Sequence, residues 1–271
     1  VKLSFEISGR RYHVETEDAL DISIPLNFNG EQPNAYGAPL ASAKTFEAGS
    51  FIADTRRDGS CNVEEYRIVP HCNGTHTECV GHISLERISI LSVLKKTLVP
   101  STLISISPVE GANTDESSQP VPKLGDLLLT KTALQNALQS ANSDFIAGMI
   151  IRTLPNDASK KHRRYGDTPP PYFTIEAMRV INQLGVQHLF VDVPSVDRTD
   201  DEGKMIAHHL FWNVPEESHE VDAEACSLKT ITEMIFVADE IADGSYLLNL
   251  QIPAFVADAA PSRPLIFSIL Q

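Results

Sequence analysis

Apolar and polar positions alternate from the first residues of the chain. Lys2-Leu-Ser-Phe-Glu-Ile has period two, and Arg11-Tyr-His-Val-Glu resumes it after Ser8-Gly9, a pattern that predicts a β-hairpin. Asp21 to Leu26 predicts a short strand held to an edge or strand end by Pro25. Phe51–Asp54 and Val63–Val69 flank Asp58-Gly59 and predict a second hairpin. Further on the period lengthens. Ala133–Ala141 predicts a short helix and Phe145–Arg152 a buried strand. Thr174 is placed to cap a helix over Ile175–Leu184 that Gly185 ends. Val186–Val191 then predicts an apolar strand, Lys204–Trp212 a helix, and Leu228–Val237, Gly244–Ile252 and Pro264–Ile269 the last strands. Helix-then-strand units mixed with hairpins predict a mixed α/β (α+β) chain. With no repeat and no clean linker, residues 1–271 are expected to form a single domain with residues 1–20 as an N-terminal hairpin extension.

Composition narrows the function classes. Lys plus Arg number 22 against 36 Asp plus Glu, a net charge of −14 over 271 residues. Such a balance argues against gripping nucleic acid or an anionic membrane, both of which need a basic face. No apolar run approaches membrane-spanning length. Four cysteines at irregular spacing do not form a disulfide framework, so a reducing, cytoplasmic setting is expected. The run Lys160–Arg164 within the 156–171 loop reads as a solvated basic patch, and Pro215–Glu224 as an acidic loop.

Nine histidines stand out, because five of them fall in two tight settings: His71, His76 and His82, and the pair His208-His209. The stretch from Pro70 to His82 also carries Cys72, Glu78 and Cys79. Borderline divalent metals take imidazole, thiolate and carboxylate ligands. In an extended strand His76 and Glu78 project to one face, and Gly74 is expected to let the backbone bend so that ligands converge. The same residues also suit a partly buried turn whose imidazoles are satisfied by carbonyls, so spacing alone leaves metal binding open. Ser195 lacks a nucleophile-elbow context, and Asp192 and Asp197 read as residues that fix its turn. Trp212 reads as core, and Cys79 and Cys226 as small apolar residues.

Asn73-Gly-Thr-His-Thr-Glu with His82 resembles the signature of the Putative cyclase family, which includes bacterial kynurenine formamidase and isatin hydrolase. Asp21-Ile-Ser-Ile-Pro-Leu, Phe190-Val-Asp-Val-Pro-Ser-Val-Asp197, Ala207-His208 and Thr232-Glu233-Met234 resemble further family segments in the same order. The resemblance implies a swivelling β/β/α fold and assembly as a homodimer or homotetramer. It implies metal ligands at Cys72, His76, Glu78, His208 and Glu233, and a catalytic His82 that carries protons near the substrate. His71 stands in reserve for Cys72 and His209 for His208. Two positions depart from the family pattern: Cys72 falls where the family has its first histidine, and Glu78 replaces a bridging Asp. An acidic insertion at 213–225 separates His208 from Glu233.

The implied function is hydrolysis of an amide, formamide or cyclic amide in a small molecule, using one or two divalent ions, zinc first and manganese second. The alternative is a ligand-binding member whose metal site has degraded. A third reading makes Cys72 a nucleophile with His76 or His71 as its base.

Overall fold

The computed structural model describes residues 1–166 and 169–270; Asp167 and Thr168, inside the expected 156–171 loop, and Gln271 lie outside the described residues. The N-terminal alternation forms β1 (Lys2–Ile7) and β2 (Arg10–Glu15), paired antiparallel from Lys2↔Glu15 to Ile7↔Arg10. Ser8 and Gly9 turn with φ of 49° and 76°, the left-handed pair that a two-residue hairpin turn requires. Its inner side packs Leu3, Phe5 and Val14 on Leu247 and Phe267.

Next come β3 (Leu20–Asp21), β4 (Ser42–Thr45), β5 (Glu47–Ala48), β6 (Phe51–Ile52) and β7 (Glu64–Arg67). The hairpin expected across Asp58-Gly59 does not form as such. β7 pairs with β4, and β6 pairs with β5. The reason is local: Asp54 caps a single 3₁₀ turn at Thr55–Arg57, accepting from the Arg56 amide, and Asp58 ends it at φ 62°. After that excursion the Val63 amide still donates to the Ala53 carbonyl at 3.1 Å, but β7 then pairs with β4 instead.

The remaining elements are α1 (Pro70–Asn73), β8 (His76–Glu78), α2 (Ile90–Val93), β9 (Leu98–Ile106), β10 (Val109–Glu110), β11 (Leu127–Leu129), α3 (Lys131–Ala137), β12 (Gly148–Thr153), β13 (Tyr172–Phe173), α4 (Ile175–Gln183), β14 (His188–Val191), α5 (Ile206–Trp212), β15 (Thr230–Glu233), β16 (Gly244–Asn249), β17 (Ala259–Pro261) and β18 (Leu265–Ser268). Nine strands form one mixed sheet in the order β17-β8-β15-β14-β12-β9-β16-β18-β3. Its centre, β15 to β9, is parallel, and both flanks are antiparallel. The expected mixed α/β class holds.

β9 is the longest of the elements that the hydrophobic pattern did not predict. Pro100 breaks its run, yet it lies just outside the stretch paired with β12, which starts at Ser101↔Gly148. Gly148 is needed there, because a Cβ would stand 2.0 Å from Ser101 Oγ. Alternation along the parallel strands separates two cores. Ile104, Met149, Ile151, Leu189, Val191 and Ile231 face α4 and α5, while Leu103, Ile150 and Phe190 meet Ile22, Ile235 and Leu248 on the other face. α4 forms as expected, with Thr174 Oγ1 accepting from the Ala177 amide and Gly185 following at φ 79°. α3 starts earlier than expected because Thr130, not Thr132, is its cap.

Lys160 corrects the reading of a solvated basic run. It is only 3% exposed, and its ammonium donates to Asp192 Oδ2 at 2.8 Å, to the Thr153 carbonyl at 2.6 Å and to Asn156 Oδ1 at 3.2 Å. Asp192 also accepts from the Thr153 amide and hydroxyl, each at 2.8 Å. Burial pushes the Asp192 carboxyl up, opposed by the Lys160 charge and these bonds. Removing the cation strands a buried carboxylate, so Lys160→Met should cost about 3–5 kcal/mol of stability in urea unfolding; a loss under ~0.5 kcal/mol would mean that the pair is dispensable.

A second expectation concerns pH. His188 is buried, with Nδ1 2.8 Å from Thr230 Oγ1, and burial together with the nearby Lys96 charge lowers it to about 4. Unfolding returns it to about 6.5, so the neutral ring contributes stability above that value that is lost as pH falls toward 4. Stability should drop by about 2 kcal/mol between pH 8 and 5 from this group, and His188→Gln should flatten that limb of the curve.

Candidate metal centre

The site is built on β8, which lies between β17 and β15. Period two puts Thr77 on one face, where it meets Thr232 and Ser262, and His76 and Glu78 on the other. Register then selects their neighbours. Glu233 lies directly across from His76, and their side chains approach to 3.4 Å (Nε2 to Oε2). The next residue, Met234, has φ 52°, and its carbonyl accepts from the Thr75 hydroxyl at 2.5 Å. The same hydroxyl accepts from the Ile24 amide, which ties the Asp21–Leu26 segment to the site. Gly74 does not play the part expected of it. Its φ of 166° is ordinary extended backbone, and a Cβ there would meet only Leu26 at 3.9 Å.

α5 brings His208 in from the other side. Its Nδ1 donates to Asp197 Oδ2 at 2.6 Å, and its Nε2 lies 3.0 Å from Glu78 Oε1 and 3.8 Å from Glu233 Oε1. Asp197 also accepts the Ala207 and His208 amides, so one carboxylate fixes both the start of the helix and the ring. Glu233 is oriented by the Val196 amide at 3.1 Å. His76 donates from Nδ1 to the Gly74 carbonyl at 2.9 Å, which leaves Nε2 as a lone pair facing inward. His76, Glu78, His208 and Glu233 form a floor that is almost wholly buried.

A rim of three partly exposed groups closes it. His71 Nδ1 lies 3.0 Å from Glu78 Oε2, and its Nε2 bonds Asp258 Oδ2 at 2.9 Å. His82, in the 3₁₀ turn Val80–His82, has Nε2 at 3.8 Å from Glu78 Oε2 and Nδ1 at 3.4 Å from Asp258. The His71 and His82 rings stack with centroids 4.3 Å apart. Gly81 allows this turn: a Cβ there would stand 2.0 Å from the Ile88 carbonyl oxygen and 3.3 Å from Asp258 Cβ.

Electrostatics follow from this crowding. Burial works against a charged His71, but Asp258 and Glu78 outweigh it and carry the ring up to about 10. His208 is likewise raised against its burial by Asp197 and Glu78. Burial opposes the Glu78 charge, yet His82 and His208 hold its carboxyl well below the usual range. Hydrogen bonds from His71 and His82 lower Asp258.

Among the described residues, three sets of ligand atoms converge within 4.8 Å: His71, His76 and Glu78; His71, His82 and Asp258; and Glu78, His82 and His208. His76 Nε2 and Glu78 Oε2 are buried with no hydrogen-bond partner. Buried carboxylates and inward imidazole lone pairs without partners are the donor set that a divalent cation satisfies, so the residues present fit one.

Of the sequence-predicted residues, His76, Glu78, His82, His208 and Glu233 are brought together. Cys72 is buried and, like Glu233, falls in none of the three converging sets, whereas His71 falls in two; Glu233 nevertheless lies 3.4 Å from His76 and 3.8 Å from His208. His209 turns away toward His219, 6.0 Å between ring centres. Ser195 accepts the Asp197 amide, and Trp212 donates to the Lys229 carbonyl, both structural. Cys79 points at the Ile88 carbonyl in the core. Asp258 was not foreseen. It lies far along the chain from the histidine segment with no motif around it, and only the β17–β8 pairing (Ala259↔Glu78) delivers it.

The Putative cyclase family model matches residues 13–198. The chain belongs to that family. A kynurenine formamidase of Bacillus cereus is 24% identical over 262 residues, which cover 93% of this chain and 99% of that enzyme. Among solved structures, a predicted metal-dependent hydrolase from Bacillus stearothermophilus superposes with a TM-score of 0.57 at 15% identity, over 92% of this chain and 98% of the other. An isatin hydrolase bound to the product analogue thioisatinate gives a TM-score of 0.61 at 15% identity, over 93% and 92% of the two chains. The cyclase fold is therefore shared along nearly the whole chain. His208, Glu233 and Asp258 lie beyond the stretch that the family model matches.

Proposed function

We propose that this protein is a metal-dependent hydrolase of an amide, formamide or cyclic amide in a small molecule. The observation that carries the reading is the pair of unpartnered buried atoms, His76 Nε2 and Glu78 Oε2, at the centre of converging imidazoles and carboxylates. The enzymes named among its relatives, a kynurenine formamidase and an isatin hydrolase, support the substrate class.

His76, Glu78, His208 and Glu233 would hold the cation, with Cys72 or His71 adding a further donor. Imidazole with carboxylate would favour zinc, with manganese second, as one or two ions. Such an ion activates water at neutral pH and polarises a carbonyl. The chain's own residues do the rest. Asp197 holds the proton on His208 Nδ1, so that Nε2 stays free to bind. His82 stands at the rim with its Nε2 turned toward Glu78 and its Nδ1 toward Asp258. A proton held on Nε2 is placed for the departing nitrogen, and an amine leaves poorly without one.

Metal content and turnover, measured on the same preparations against N-formyl aromatic amines and cyclic amides, test this. His76→Ala should lose its metal. His82→Ala should keep it while turnover falls by about 10²–10⁴-fold. Full metal content in the His76→Ala protein would sink the site assignment. Wild-type protein that takes up neither zinc nor manganese would instead favour a ligand-binding member of the family.

A further inference from the structure

We infer that His71, held by Asp258, is the imidazole ligand that completes this metal centre, and that Cys72 is not a ligand. The inference rests on the metal-centre reading above and concerns which of this chain's residues complete it.

His71 and Cys72 are neighbours in α1. Successive residues of a helical turn diverge by about 100°, so both cannot face one point. The turn is locked from below: the Asn73 side chain accepts the Val69 amide at 2.7 Å and donates to the Pro39 carbonyl at 3.1 Å. In that fixed orientation His71 reaches the cluster, and Cys72 enters none of its converging sets.

The environment of His71 repeats that of His208. In each, one ring nitrogen bonds an aspartate carboxylate and the other lies 3.0 Å from a Glu78 oxygen. A carboxylate on the far nitrogen fixes the tautomer and raises the basicity of the ligating one. The 3.0 Å approach of His71 Nδ1 to Glu78 Oε2 puts the inner ring nitrogen beside the carboxylate at the centre of the cluster, where a cation would take the place of the shared proton. Asp258 is thus a positioning residue for His71, as Asp197 is for His208.

Cobalt(II) serves as the probe, in zinc's place, because a thiolate ligand produces a near-ultraviolet sulfur-to-cobalt charge-transfer band and an imidazole does not. The cobalt-loaded full chain should lack that band. In chelator competition, Cys72→Ser should bind zinc within about twofold of wild type, whereas Asp258→Asn should bind about 10–100-fold more weakly. His71→Gln should weaken binding at least as much. Asp258→Asn is nearly isosteric at a partly exposed position, and an unchanged melting temperature would show that its loss of affinity is local. A sulfur-to-cobalt band in wild type, or zinc binding lost in Cys72→Ser and kept in Asp258→Asn, would overturn the inference and leave the metal-centre reading standing. Wild type that takes up neither cobalt nor zinc would overturn both.

Discussion

The structure around the site depends on one constraint: the Glu78 carboxylate is 1% exposed and cannot be left without positive charge around it. Its two oxygens face different partners. Oε1 has His208 at 3.0 Å, and Oε2 has His71 at 3.0 Å and His82 at 3.8 Å. Those rings arrive from α5, α1 and the turn after β8. Bringing them to one point requires β8 to sit inside the sheet, where β17 and β15 cover both of its edges. A buried acid at a sheet edge would have drawn water instead. The antiparallel flank added to a parallel centre therefore serves the chemistry as much as the packing.

Support for the floor can be followed outward from β14. The buried Lys160–Asp192 pair closes that strand and fixes where the following turn begins. From this turn the Val196 amide reaches Glu233 and the Asp197 carboxylate reaches His208. Two ligand candidates on different elements are thus oriented by consecutive residues of one loop, and that loop is anchored by an ion pair that touches neither. The resemblance of the Phe190–Asp197 segment to the family pattern acquires a physical meaning here, because the turn orients two of the candidate ligands.

What was legible in the sequence follows the reach of its periodicities. Strand period two put His76 and Glu78 on one face, and the β15 register that adds Glu233 was recoverable only through family resemblance. Helical period decides between His71 and Cys72, but only once α1 is known to be helical, and a four-residue helix has too little sequence to announce itself. Lys160 misled because a run of basic residues normally marks solvent. Its burial is decided by Asp192, a partner with no local signal. Asp258 was invisible for the same reason: long-range sheet pairing, not any nearby pattern, brings it to His71. β9 escaped because Pro100 interrupts its run, although the strand pairs with β16 from Leu98 and with β12 from Ser101.

Two departures from the family pattern, Cys72 for histidine and Glu78 for aspartate, look like separate injuries when read along the chain. In three dimensions they are geometrically linked. A glutamate is longer than an aspartate by one methylene, which pushes its oxygens further from β8, and Oε2 ends 3.0 Å from a nitrogen of His71. Moving the histidine back by one residue around α1 rotates it toward the rim, which is where the longer carboxylate reaches. Asp258 then supplies the outer hydrogen bond that a ring so placed would otherwise lack. Together the two departures keep a carboxylate and an imidazole converging on one point, shifted outward from the strand.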